Sequence, residues 1–313
     1  MEPNAPVVPT VPVTSVPVFQ ALPGPINLLK SSWGLFTTNW RILVPIFVLP
    51  TALIYIGQLL GETDNGLSTI LSVILILGGC ILSIVSQPAS INAIHRYSTE
   101  TNPVLSLEGQ YKVGASFFWS ILLITIISVL VSFGSFALLF IPGIIISVYV
   151  FTGVFSCVID GKKGFSALTE SYSLVSGRWL PVFGRLLFIG LIYVIISMII
   201  GAIGGASGGK ITAFSALISL ILTAFLGPVA GIYSYKLYSA LKATRQGPVE
   251  TETFKKWLVA FVVIGIIAPI VMFVGFFALL MTTSRVLTHD GLEIPTSARV
   301  DMQNSSTNPI ESQ

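Results

Sequence analysis

The chain has 313 residues, of which 53% are hydrophobic and only 9% charged, and its mean hydropathy is +0.89. A soluble domain carries roughly 25% charged residues, so too few remain here to cover a water-exposed surface. Apolar stretches take up about half the chain and leave no room for a soluble catalytic domain of roughly 100 residues.

The first 25 residues hold seven prolines among Val, Thr and Ala. Proline removes backbone donors and fixes φ, which predicts an extended, disordered tail over residues 1–25. No secretory signal is visible over the first 41 residues, so the first span is expected to act as its own insertion signal.

Crossing a hydrocarbon core about 30 Å thick takes about 20 apolar residues. Seven segments qualify, at 42–60, 68–94, 117–139, 142–158, 186–206, 211–235 and 258–281, and none contains Asp, Glu, Lys, Arg or His. They are continuously apolar and lack the alternation of a membrane barrel strand, so they are predicted to be helices. Pro45, Pro50, Pro88, Pro228 and Pro269 are expected to kink their helices or mark their ends. Cys80 and Cys157 lie within apolar runs, which predicts small core residues with no disulfide or metal role.

With seven spans, all of the 16 Lys and Arg except Lys210, Arg285 and Arg299 fall on one side. Basic loops stay in the cytoplasm, which predicts a cytoplasmic N-terminus and an external C-terminus in a cell membrane. The stretch after Met281 is polar and predicts a flexible external tail over residues 282–313.

The sequence also repeats. Leu29, Trp33, Phe36, Trp40 and Leu43 follow a 4,3,4,3 spacing that sets them on one helix face, and Leu168, Tyr172, Val175, Trp179 and Val182 do the same 139 positions later. A third copy, 78 positions after the first, reads Leu107, Tyr111, Gly114, Phe118 and Ile121. Each precedes a pair of spans. The predicted fold is therefore all-α: three units of an interfacial amphipathic helix plus a transmembrane hairpin, and one extra C-terminal span.

Ile141, Pro142 and Gly143 open one span, and Gly161, Lys162, Lys163 and Gly164 form a basic turn. The helix after it carries Ala167, Leu168, Ser171, Leu174, Val175, Gly177, Arg178 and Trp179, and Val182, Phe183, Gly184 and Arg185 follow. Over residues 140–192 this pattern resembles the membrane domain found in glycerophosphoryl diester phosphodiesterases and related multi-span prokaryotic families. The resemblance implies a helical membrane module that meets lipid. It implies no hydrolase activity, because in those enzymes hydrolysis belongs to a separate soluble barrel, and the histidines here are only His95 and His289.

Residues with an apolar body and a polar or cationic tip suit the headgroup layer. Trp33, Trp40, Tyr172, Arg178, Trp179, Arg185, His95 and Arg96 are accordingly the candidate lipid-interface residues, with membrane lipids, anionic phospholipid among them, as the partners. Gly204 to Lys210 approach a phosphate-binding loop, but Ile211 stands where Ser or Thr should bind magnesium, so a flexible turn is expected. Gln58, Gln87, Asn92 and Tyr193 are the main polar candidates within spans, and Gly190, Gly201, Gly205 and Ala206 offer close-packing surfaces. No nucleophile, base and acid set, metal cluster or cofactor motif can be assembled at one depth, so no catalytic, metal or cofactor residue is assigned and no nucleic-acid partner is expected. The expected role is a non-enzymatic lipid-interacting or partner-organising module. The alternatives are an uncoupled transporter or flippase of a lipid or small amphiphile, and a membrane-embedded lipid enzyme.

Overall fold

The computed structural model describes residues 22–290 except 64, 139, 206–212 and 246–248. The glycine-rich turn before Lys210, most of the proline-rich run and the tail from residue 291 lie outside the described residues. Ten helices follow one another within it: α1 (Pro25–Gly61), α2 (Gly66–Thr99), α3 (Leu107–Ser116), α4 (Phe118–Leu138), α5 (Phe140–Val150), α6 (Gly153–Asp160), α7 (Phe165–Val175), α8 (Trp179–Gly205), α9 (Ala213–Ala243) and α10 (Glu252–Asp290). Seven units are long and apolar enough to cross a membrane, namely α1, α2, α4, α5 with α6, α8, α9 and α10. The chain is an all-α membrane protein.

Local chemistry sets several helix starts. Pro25 opens α1, where its missing N–H costs nothing. The Asn65 side chain caps α2 by accepting from the Leu67 N–H at 3.2 Å, and Ser106 caps α3 by accepting from Gly109 at 3.1 Å. The turn between α6 and α7 depends on Gly161 and Gly164, whose φ values of 68° and 52° lie in the left-handed region.

The first amphipathic segment is continuous with the first span. α1 has 37 residues, about 55 Å at 1.5 Å each, well beyond one hydrocarbon thickness. It bends at Asn39 (φ −121°, ψ 19°), whose side-chain amide donates to the Leu35 carbonyl at 3.0 Å. None of the five span prolines ends its helix. Pro50 shows what keeps one of them in place. It has no N–H to give the Ile46 carbonyl four residues back, and that oxygen is taken instead by the Ser86 hydroxyl of α2 and the Tyr111 hydroxyl of α3, the latter at 3.3 Å.

The fourth span is broken, where the apolar run 142–158 reads as one helix. Its two pieces, α5 and α6, are joined through Phe151 and Thr152, and the freed polar groups are met by Ser171 of α7. The Ser171 hydroxyl donates to the Tyr149 carbonyl at 2.5 Å, accepts from the Thr152 N–H at 3.1 Å and lies 2.7 Å from the Thr152 hydroxyl. Interrupted helix is tolerated at membrane depth only where protein covers it or where it lines a water-filled cavity. α7 supplies that cover. Expected at a lipid interface, it is enclosed instead: Ala167, Leu168, Ser171, Leu174 and Val175 are fully buried among α5, α6 and their neighbours.

The three repeats do share buried positions. Leu43, Ile121 and Val182, at the 78- and 139-residue offsets, are all fully buried, and so, within 3%, are Ser32, Gln110 and Ser171. The polar position is used differently each time. Ser32 donates to its own helix at Leu28, Gln110 accepts from Asn92 of α2 at 2.8 Å, and Ser171 bridges the broken span.

Two apolar cores form, one among α1, α2, α8 and α9 and the other among α4 and α10. The α5–α7 segment contributes to both: Leu174 and Val175 to the first, Ala167 and Leu168 to the second. Both cores lie towards the end of the bundle that carries the basic loops. Away from it burial is sparser, and in α10 every residue from 269 to 281 is exposed. The seventh span nevertheless packs with the rest. α10 lies against α4 so closely that a Cβ on Gly134 would fall 2.0 Å from the Phe261 carbonyl oxygen, and one on Gly265 would fall 2.0 Å from that of Leu130. The glycines expected to pack tightly, Gly190 and Gly201, instead face open space. Cys157 is buried as expected, whereas Cys80 is exposed, because that face of α2 has no helix over it.

Candidate lipid-headgroup cleft

At the basic end, the bend in α1 leaves a cleft of about 870 Å³ between α1, the end of α2, the α2–α3 connection and α9. Asn39 and Arg41 come from the bend, Tyr97 and Glu100 from the end of α2, Asn102 from the connection and Lys236 from α9. Asn102 has a φ of 54°, a conformation its short polar side chain tolerates. The Lys236 ammonium donates to the Ser31 carbonyl at 2.7 Å. Arg41 lies 6.0 Å from the ring centre of its neighbour Trp40.

Among the described residues no carboxylate pairs with Arg41 or Lys236. The one acid in the wall, Glu100, is already neutralised by Arg96, whose Nε and Nη2 donate to its two oxygens at 2.8 and 2.9 Å. That hydrogen bond holds the Glu100 carboxyl below its ordinary range, so the pair is fully ionised at neutral pH. The cleft therefore carries a net positive charge of two.

The residues singled out from sequence separate into two groups. Trp33 and Trp40 are 50% and 52% exposed, and Arg96 lies at the rim of the cleft with Glu100. The others turn inward. His95 Nδ1 is 2.9 Å from the Tyr235 hydroxyl. Tyr172 stacks on Phe254 of α10 with ring centres 4.0 Å apart. Trp179 donates from its indole N–H to the Ile145 carbonyl of α5 at 3.2 Å and stacks on Phe183. Arg185 ties the chain ahead of α1 to α8, donating to the carbonyls of Leu22, Pro23 and Pro181.

Arg178 is the most heavily committed. Its guanidinium donates to the Thr244 carbonyl at 2.9 Å, to the Thr244 hydroxyl, to Leu241 at 3.2 Å and to Leu174 at 3.1 Å. These acceptors lie in the last turns of α9 and α7, where carbonyls lack intrahelical donors and the helix dipole favours a cation. Its Nε is buried without a partner. Burial also draws the Arg178 pKa below its usual value, although a guanidinium keeps its charge.

A second set of polar groups was missed from sequence. Tyr238, Lys242 and Arg245 stand along one face at the end of α9, and they grip the α6–α7 region. Tyr238 and Lys242 both bind the Asp160 carboxylate, and Arg245 pairs with Glu170 at 2.8 Å. The 4,3 spacing of Tyr238, Lys242 and Arg245, the last just past α9, was the available signal.

Among the described residues no group of three or more His, Cys, Asp or Glu gathers to hold a metal ion. Seven apolar spans around a shared polar scaffold define a multi-pass helical membrane protein. No protein-family model matches the chain, and no curated protein or solved structure does.

Proposed function

We propose that this chain is a non-enzymatic membrane module of a prokaryotic cell membrane that holds anionic phospholipid at its cytoplasmic face. The N-terminus is cytoplasmic and the C-terminus external, following the distribution of Lys and Arg. The observation that carries the reading is the cleft at the α1 bend, where Arg41 and Lys236 meet no carboxylate among the described residues while Trp33 and Trp40 stand exposed on α1. Exposed indoles favour the headgroup layer, and each basic side chain there attracts anionic lipid by about 1 kcal/mol. The likeness of residues 140–192 to a phosphodiesterase membrane domain fits a lipid-meeting role and brings no catalysis with it.

Arg41→Glu removes one attraction and adds one repulsion, and should lower the preference for phosphatidylglycerol over phosphatidylcholine about thirtyfold. Intact-protein mass spectrometry from mixed-lipid micelles reads that ratio. An unchanged ratio would sink the reading.

The broken fourth span favours a second reading, an uncoupled transporter or flippase of a lipid or small amphiphile, because interrupted helices line the binding sites of many transporters. Reconstituted vesicles with a fluorescent lipid in both leaflets decide between the two. A flippase lets an impermeant reductant bleach more than the outer half of the signal, whereas the module leaves half protected.

A further inference from the structure

The cleft at the α1 bend is larger than its two cations require. One phosphate on Arg41 and Lys236 needs only the space around its oxygens, whereas about 870 Å³ falls in the range of about 300–1,000 Å³ that encloses a whole small molecule. Much of the remaining wall is uncharged and hydrogen-bonding. Thr38 and Asn39 come from the bend, Tyr97 from the end of α2, and Thr101 and Asn102 from the connection that follows.

The Thr38 hydroxyl and the Asn39 amide each donate to a carbonyl of their own helix, Gly34 and Leu35, which leaves their side-chain oxygens able to accept. Tyr97, Thr101 and Asn102 make no side-chain hydrogen bond to any described residue. Glu100 gives one acceptor position on each carboxylate oxygen to Arg96, out of about four in all. Hydroxyls both donate and accept, so a polyol suits this wall: it can give hydrogens to Glu100 and Asn39 and take them from Asn102 and Tyr97. A head without hydroxyls leaves those groups unanswered, whatever its charge.

We infer that the cleft selects, among anionic lipids, those whose phosphodiester carries a polyhydroxylated alcohol of the glycerol or inositol class. The two free phosphate oxygens lie on Arg41 and Lys236, and the alcohol's hydroxyls among Glu100, Thr101 and Asn102. Resting on the anionic-lipid reading of this cleft, the selection is for head chemistry beyond charge.

The test sets two phosphodiester lipids of equal charge and equal chains, dioleoyl phosphatidylglycerol and dioleoyl phosphatidylmethanol, in competition for the full-length protein in micelles, with retention read by intact-protein mass spectrometry. The wild type should retain the glycerol lipid about tenfold over the methyl lipid, the equivalent of one or two hydrogen bonds. Thr101→Val with Asn102→Gly should bring the two near parity. Glycine adopts the φ of 54° at position 102 without strain and valine is close to threonine in shape, so both cations stay in place. Arg41→Glu should instead weaken both lipids alike against phosphatidylcholine and leave the ratio between them unchanged. Equal retention of the two diesters by the wild type, or a preference that survives the double variant, overturns the inference. If Arg41→Glu weakens neither lipid, the anionic-lipid reading itself fails, so the two failures are told apart. Glycerophosphoglycerol added to the micelles identifies the source of the head: a site for a free diester lets it displace the lipid, a lipid site does not, and both results support the head chemistry.

Discussion

Replacing Arg178 by methionine should lower the stability of the protein in micelles by about 3 kcal/mol and leave phosphatidylglycerol binding intact. The guanidinium supplies donors to carbonyls of Leu174, Leu241 and Thr244, at the ends of two helices. Methionine keeps the stem but strands those acceptors in a partly buried place, and hydrogen bonds to a charged group contribute about 1.5–3 kcal/mol. Lysine should recover only part of the loss, since an ammonium cannot spread its three donors over acceptors on two helices as a planar fork does. Reversible unfolding in a denaturing detergent measures the first effect and lipid retention the second. Lost lipid binding at unchanged stability would mean that Arg178 serves the membrane surface after all.

Gly265→Ala should destabilise the protein by about 2–3 kcal/mol, while Gly275→Ala, ten residues further along α10, should be neutral or slightly stabilising. At Gly265 even a methyl group would meet the Leu130 carbonyl oxygen at 2.0 Å, so α10 must move away from α4 or α4 must bend. At Gly275 nothing lies within 4 Å, and alanine is the better helix former. Gly134→Ala should behave like Gly265→Ala, for the reciprocal contact with Phe261. The same detergent titration reads all three. Equal effects at positions 265 and 275 would show that α10 is not held where the glycines meet.

The contrast between those glycines shows what the sequence could disclose. A run of about 20 apolar residues has few physical options besides a spanning helix, so all seven spans were legible, as was the shared helix face that holds Leu43, Ile121 and Val182, although not that these three turn inward. Which helix each span touches was not. Gly190 and Gly265 look alike in the chain, and only the identity of the neighbour separates open space from backbone contact. The broken span was illegible for a related reason, because no proline or charge marks Phe151 and Thr152 and the group that satisfies the break, Ser171, belongs to another helix.

The basic residues carried the same ambiguity. An arginine beside a tryptophan near a bilayer reads the same whether its donors meet phosphate oxygens or the carbonyls of a helix end. Arg178 and Arg185 do the latter. Arg41 and Lys236 drew less notice, because they sit 195 positions apart and only the bend at Asn39 brings them to one cleft.

α1 has its chief partners in α2 and α9. On the ribosome this imposes a long wait: at about 5–20 residues per second, some tens of seconds at the slow end separate the emergence of the first span from that of its second partner. Over that interval Phe47, which comes to rest on Gly227 and Gly231, has no mate, and the Leu22–Pro23 carbonyls meet Arg185 only when α8 arrives. The newborn chain must therefore be sheltered by lipid or by an insertion chaperone until α9 is made. Truncations ending before α9 should accordingly be recognised by membrane proteases as unfinished.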